Sequence, residues 1–296
     1  MLISKIKTLK KSVHSVFDIK EQLKLIRLAL GRIEARQTKN ASCPEEAEFQ
    51  TFSQWGEDGI IQWLINNISI SREIFIEFGT QNYLESNTRF LLMHNNWAGL
   101  IIDGSKENMD FVRQDPIYWQ YNIKAVQQFI TAENINDIFK ENGVTGKIGL
   151  LSVDIDGNDY WVWKAIDCVE PDIVICEYNP RFGKDRAVTI PYDASWTRFK
   201  VHPSGIYFGA SIKALTQLAN EKGYALVAGN KHAANLFFVK RELLNDVVKE
   251  KSIDEVYHKN QYEDSRNEHG ELQRLSFEEE QKIIWSLPLV DVEKGK

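Results

Sequence analysis

Hydrophobic positions in the first forty residues recur with the spacing of a helix. Leu2, Ile6, Leu9, Val13 and Val16 step by four and three, and Ile19, Leu23, Ile26, Leu30 and Ile33 repeat the pattern after a register shift. Two heptad stripes of this kind predict a helix with one apolar face. Such a face suits a coiled coil, an anionic membrane surface or the body of its own chain. The polar stretch 37–50, with Cys43-Pro44, reads as a linker. Ser53 then predicts the cap of a helix whose apolar side is Trp55, Ile60, Ile61, Leu64, Ile65 and Ile68.

Beyond this point short apolar runs alternate with helical stretches. The runs are Ile74–Phe78, Ala98–Asp103, Ile148–Asp154, Asp172–Glu177, Tyr224–Val227 and Leu236–Val239. The first four are nearly continuous in apolar residues, as strands buried on both faces of a parallel sheet are. Helical segments between them supply the crossovers that parallel strands require. The last two runs lie too close for a crossover helix and predict an antiparallel hairpin. The expected fold class is therefore α/β, a mostly parallel sheet closed by an antiparallel C-terminal hairpin, preceded by an N-terminal helix. The expected units are a basic amphipathic or coiled-coil helix over 1–40, a central domain over 41–240 and a helical extension over 241–296.

Charge is unevenly spread along the 296 residues. Residues 1–40 carry a net charge of +7 and the remainder −13. A body that acidic binds nucleic acid poorly, because neutralising phosphate supplies most of that affinity. No apolar run reaches the length of a membrane span, and the first residues are too periodic for a secretory signal. Cys43, Cys168 and Cys176 have neither paired nor metal-like spacing, which points to a reducing cytoplasm.

Four of the strand-like runs end in or next to an acid: Glu77, Asp103, Asp154 and Glu177. Ligands of open α/β sheets bind outside the carboxyl ends of the strands, so four carboxylates at one rim predict a site. Gly79 allows backbone to approach a ligand closely. Asp103, 24 residues further on, suits a pair of ribose hydroxyls, and Gly104-Ser105 leaves room for an adenine ring. This spacing fits NAD as well as S-adenosylmethionine. The turn Gly79-Thr80-Gln81-Asn82-Tyr83-Leu84 has no G-x-G-x-x-G, however, and so no bed for a pyrophosphate. The segment Asp154-Ile155-Asp156-Gly157-Asn158-Asp159 looks like a calcium loop but lacks the Glu of an EF-hand, since its twelfth position is Ala165. Period-two alternation puts Asp154 and Asp156 on one side, where they can hold a divalent ion or share a proton; alternatively, Asp156 caps the next helix.

The run Ser152-Val153-Asp154-Ile155-Asp156-Gly157-Asn158-Asp159 resembles the K-I-D-V-E-G-A-E segment of FkbM-type methyltransferases. Pro171–Glu177 is similar to the strand that follows it there, and Phe52-Ser53-Gln54-Trp55-Gly56-Glu57-Asp58 to a segment before the first strand. The similarity covers about residues 50–180 and the hairpin to about 240. It departs from that pattern at Gln81 and Tyr83, where small residues are common.

The resemblance implies a Rossmann-like class I methyltransferase fold with a seven-stranded sheet and S-adenosyl-L-methionine as cofactor. It implies that Glu77, Gly79 and Asp103 contact that cofactor, with Asp154 at the methyl-transfer end; Gln81, Gly104 and Ser105 complete the expected cofactor-binding set. It also implies Mg2+ on Asp154, Glu177 and Asn179. Methyl transfer to a hydroxyl needs a base, for which Asp156 and His202 are the candidates, His202 lying in the long loop after the fifth strand. Tyr178, Tyr192, Trp196 and Tyr207 are candidates for a sugar-stacking wall. The expected function is O-methylation of a saccharide or glycan precursor in surface glycan biosynthesis, by a cytoplasmic homo-oligomer. The N-terminal helix offers that oligomer a peripheral contact with the inner face of the membrane. The rival readings are a catalytically silent scaffold of the same fold and an NAD-dependent sugar-modifying enzyme.

Overall fold

A computed structural model describes residue 19 and residues 22–293, and the stripe Leu2–Val16 lies outside the described residues. Seven strands form one sheet in the order β3-β2-β1-β4-β5-β8-β7. Strands β1 (Ile74–Phe78), β2 (Ala98–Asp103), β3 (Ile123–Gln127), β4 (Gly146–Val153) and β5 (Val169–Glu177) run parallel. Strand β8 (Asn235–Lys240) pairs antiparallel with β5 and with β7 (Tyr224–Gly229). This is the Rossmann-like class I methyltransferase fold expected from the sequence. The first four apolar runs became β1, β2, β4 and β5 because each is buried on both faces. Strand β3, Ile-Lys-Ala-Val-Gln, escaped the sequence reading because it is a half-exposed edge strand with no apolar run. A two-stranded ribbon of β6 (Val188–Thr189) and β9 (Val290–Asp291) ties the C-terminus to the loop after β5.

Alternation along the strands fills two cores. On one face Ile76, Phe78, Leu100 and Ile102 pack under α7 (Ile135–Glu141), α8 (Asp159–Ala165) and α10 (Ile212–Glu221). On the other, Phe75, Ile101, Leu150 and Ile173 pack under α3 (Glu57–Asn67), α4 (Arg89–Asn95), α5 (Lys106–Gln114) and α6 (Ile117–Gln120). The N-terminal helix α1 (22–37) adds Leu28 and Ala35 to that second core, and the short α2 (Pro44–Ala47) adds Ala47. A third cluster joins Phe182, Trp196 and Tyr207 to Ile284 of α12 (Phe277–Trp285). Short helices α9 (Arg198–Val201) and α11 (Ile253–Val256) complete the chain.

The start of α3 differs from expectation. Gly56, at φ +108°, is its N-cap, while the Ser53 hydroxyl accepts from the Asp58 N–H at 3.1 Å. Asp58 in turn accepts the N–H groups of Thr51, Phe52 and Ser53 at 2.6–2.9 Å. Glu57 accepts from Asn230 and Asn235 at the turn of the β7–β8 hairpin. The Ser-Gln-Trp-Gly-Glu-Asp stretch is thus a structural clasp that ties the N-terminal side to the hairpin.

Candidate active site

The strand order reverses between β1 and β4, and a crevice opens there at the carboxyl ends of the strands. It encloses about 320 Å3 and is lined by Gly79, Gln81, Asp103, Gly104, Ser105, Gln128, Phe129, Ile130, Asp154, Asp156, Asn158 and Trp196, among others. This volume lies within the range of small-molecule clefts. Six of the seven residues expected at a cofactor are in its wall, and Glu77 is the exception.

Glu77 points to the sheet face opposite its neighbour Phe78, as alternation in β1 dictates. There its carboxylate accepts from Ser86 Oγ at 2.8 Å, from the N–H groups of Asn87 and Thr88 at 2.9 and 3.1 Å, and from Thr88 Oγ1. Burial raises its pKa, and the Thr88 and Ser86 hydroxyls partly offset this. Glu77 therefore anchors the loop that leads into α4 and presents no free oxygen to the crevice.

Gly79 sits at φ +76°, and a Cβ placed there would stand 1.5 Å from the Asp154 carbonyl oxygen. Backbone of the first turn and of the β4 end thus meet at a point where only hydrogen fits. Downstream, Gln81 (φ +48°) and Tyr83 (φ +60°) also adopt left-handed backbone. Left-handed backbone is strained for residues of this size, and these are two positions where the sequence resemblance leads one to expect small residues. The Tyr83 side chain is buried with its hydroxyl 2.9 Å from Thr88 Oγ1, and the Gln81 N–H donates to Asp103 Oδ2 at 2.8 Å. Asp103 Oδ1 accepts from the Ser105 N–H at 2.7 Å and from Asn108 Nδ2 at 3.2 Å. One carboxylate thereby fixes both turns that flank the crevice.

At the other end Asp154, Asp156 and Glu177 bring one carboxylate oxygen each within 4.8 Å of one another. Asp156, at φ +54°, has its side chain half exposed, and Arg198 Nη1 donates to it at 2.5 Å. Glu177 Oε2 is buried and has no hydrogen-bond partner. Burial, reinforced by Asp156, Asp159 and Glu77, drives the Asp154 pKa well above the usual carboxylate range, against the pull of Arg198. Burial, then Asp154 and Asp156, do the same to Glu177. Asp159, inside α8, is pushed up to about 6 by burial although it accepts the N–H groups of Ile155 and Gly157. Asn158, not Asp156, is the N-cap residue of α8.

Two expected residues lie elsewhere. Asn179 is fully buried. Its oxygen accepts the Arg181 N–H, and its amide donates to the carbonyls of Ile206 and Phe208. It folds the loop after β5, and its place beside Asp154 and Glu177 belongs to Asp156. His202 is absent from the crevice wall and its Nδ1 is 2.6 Å from Ser204 Oγ. From the same loop Trp196 and Arg198 reach the site instead. Trp196 packs against Gly157, where a Cβ would stand 2.1 Å from the indole ring. Of the other aromatic candidates, Tyr178 is core and Tyr207 packs behind Trp196, ring centroids 5.3 Å apart. Tyr192 binds Glu133 at 2.5 Å.

Arg198 was missed by the sequence reading. Its Nη2 donates to Asp264 at 2.5 Å, its Nε donates to the Gly205 carbonyl, and its guanidinium lies 4.0 Å over the Phe208 ring. Burial works against its charge, but Asp156, Glu177 and Asp264 raise its pKa further. An arginine two residues past Trp196, in a chain with four rim acids, was the available signal.

No known family model matches the chain, and no curated protein does. Several solved structures are similar. A putative O-methyltransferase from Klebsiella pneumoniae matches at 10% identity and a TM-score of 0.40, over 72% of this chain and 89% of its own. The O-methyltransferase from Bacillus cereus in complex with SAH (S-adenosylhomocysteine) matches at 15% and 0.39, over 70% and 90%. The N-terminal domain of EvdMO1 with SAH bound matches at 11% and 0.37, over 57% and 74%. These likenesses are remote, and the fold rests on strand order and register.

Proposed function

We propose that this protein is an S-adenosylmethionine-dependent methyltransferase that acts on a hydroxyl of a saccharide, in the assembly of a surface glycan. The observation that carries the reading is the crevice itself. A diol-sized acceptor, Asp103, and a close-approach glycine, Gly79, stand at one end, and a carboxylate cluster stands at the other. Gly79, Gln81, Asp103, Gly104 and Ser105 would hold the nucleoside of the cofactor, with Asp154 toward its reactive end. When bound, the cofactor supplies a methyl group already activated by its sulfonium.

The chain then has to align the acceptor and take one proton. Glu177 suits the proton transfer better than Asp156, whose Oδ1 is engaged by Arg198. Its Oε2 lacks a partner, and burial has raised its proton affinity. Arg198 keeps the cluster from accumulating three uncompensated charges. The Trp196 indole offers an apolar face beside Asp156, suited to the C–H face of a sugar ring.

The cluster also fits a hard divalent ion, because three carboxylates converge and one buried oxygen is orphaned. Asp154, Asp156 and Glu177 would hold Mg2+, which would polarise the acceptor hydroxyl.

Calorimetric titration of the full chain with S-adenosylhomocysteine and with NAD, each with and without Mg2+, tests the reading. Saturable binding of S-adenosylhomocysteine is expected. Binding of NAD alone would transfer the site to redox chemistry, and binding of neither would make the fold a scaffold.

A further inference from the structure

A second cavity lies between α1, the loop before α4, and α5. It encloses about 500 Å3 and carries a basic lining, Lys24, Arg27 and Arg89, against a single carboxylate, Asp115. Lys24 and Arg89 both pair with Asp115, at 3.5 and 3.2 Å, and leave the cavity two positive charges in excess. Burial opposes the charge on Asp115, but the Ile117 N–H, Arg89 and Lys24 together hold its pKa below the ordinary value. Asp115 is therefore ionised and already spent on its two cations.

Arg89 is 1% exposed, and its Nε is buried with no hydrogen-bond partner. Its Nη1 donates to the Tyr83 carbonyl at 2.7 Å, while its guanidinium lies 5.4 Å from the Phe52 ring centroid. Arg27 lies over the same ring at 5.2 Å and has no carboxylate partner among the described residues. A buried guanidinium N–H without an acceptor is costly, and a phosphate or carboxylate oxygen is what it binds best.

The remaining wall is apolar. Phe52 is buried, and Leu23, Leu84 and Phe111 are exposed at the mouth. Leu23 also belongs to the stripe Ile19, Leu23, Ile26, Leu30 and Ile33, whose members are all at least 50% exposed. The helix buries its other side, Leu28 and Ala35, against the body, so the heptad stripe faces outward. Cationic cavity and apolar stripe are continuous along one helix.

We propose that this cavity binds the anionic headgroup of a membrane lipid, with the stripe Ile19–Ile33 resting on the acyl chains. Charge complementarity selects the occupant. A second copy of the same stripe brings no anion for Arg27 and Arg89, whereas an anionic bilayer supplies headgroup and apolar surface together.

Flotation of the full chain with vesicles tests this, using phosphatidylcholine alone and phosphatidylcholine mixed with phosphatidylglycerol. The protein is expected to float with the mixed vesicles and to stay behind with the neutral ones. Arg27→Gln, at an exposed position, should lower the partition about fivefold, as roughly 1 kcal/mol per basic residue at an anionic surface implies. Leu30→Ser should lower it through the stripe, and both variants should keep the wild-type melting midpoint.

Equal flotation with both vesicle types, or an unchanged partition for Arg27→Gln, would overturn the proposal. So would release by inorganic phosphate beyond that by chloride at equal ionic strength, which assigns the cavity to a free anion. Self-association in sedimentation velocity without vesicle binding would give the stripe to a second copy and overturn it as well.

Discussion

Single residues decide the two ends of the crevice. Asp103 accepts from both flanking turns, so its removal loses the proposed ribose acceptor and loosens the crevice walls together. Asp103→Ala should weaken S-adenosylhomocysteine binding by roughly tenfold to a hundredfold, the worth of one or two charged hydrogen bonds. Calorimetry reads this directly, and an unchanged affinity removes Asp103 from the site. Gln81 carries left-handed backbone that a glycine adopts without strain. Gln81→Gly should therefore raise stability, by up to about 1 kcal/mol, in urea unfolding. Asp58 offers a test of pH. Burial pushes its pKa up to about 6, although three N–H groups favour the charged form. Folding thus binds a proton more tightly there, and stability falls as pH rises between about 4 and about 6. Asp58→Asn should abolish that part of the slope, worth roughly 3 kcal/mol across the window, in unfolding curves at stepped pH.

At the scale of elements, legibility followed burial. Strands β1, β2, β4 and β5 were readable because a parallel strand covered on both sides leaves a continuous apolar run. Strand β3 was not, since an edge strand needs no such run, and the α3 cap was misplaced because Ser53 and Asp58 bond across a loop. Helix α1 shows the limit of periodicity most clearly. Its heptad stripe was visible, yet the residues that pack on the body are the less conspicuous Leu28 and Ala35. Removing residues 1–40 uncovers part of the core beside Phe52 and Phe90. The truncated chain should melt several degrees lower, as loss of a few buried side chains implies, and calorimetric scanning checks it.

Across the whole molecule a chain of charges joins the C-terminal helix to the carboxylate cluster of the crevice. Glu280 of α12 binds the buried Arg181 at 2.9 Å, and Arg181 also binds Asp264. Asp264 binds Arg198, and Arg198 binds Asp156. Truncating Glu280 leaves the buried Arg181 with Asp264 alone, itself shared with Arg198, at a cost of about 3 kcal/mol, the low end for breaking a buried pair from one side. Glu280→Ala should lose that much in denaturant unfolding, far more than truncating an exposed glutamate of the same helix such as Glu278.

The sequence alone determined the α/β class, the four buried parallel strands, the C-terminal hairpin and the acids that close those strands. All of these follow from local alternation and from the rule that strand ends meet at one rim. Tertiary structure decided the rest. It occupied Glu77 with the Ser86–Thr88 loop, whose hydroxyls and N–H groups reach that carboxylate only once the chain is folded. It spent Asn179 on two carbonyls and kept His202 outside the crevice wall. It drew Arg198 and Asp264, distant in sequence, beside Asp156, since charges far apart along a chain find each other only when the loops that carry them are folded.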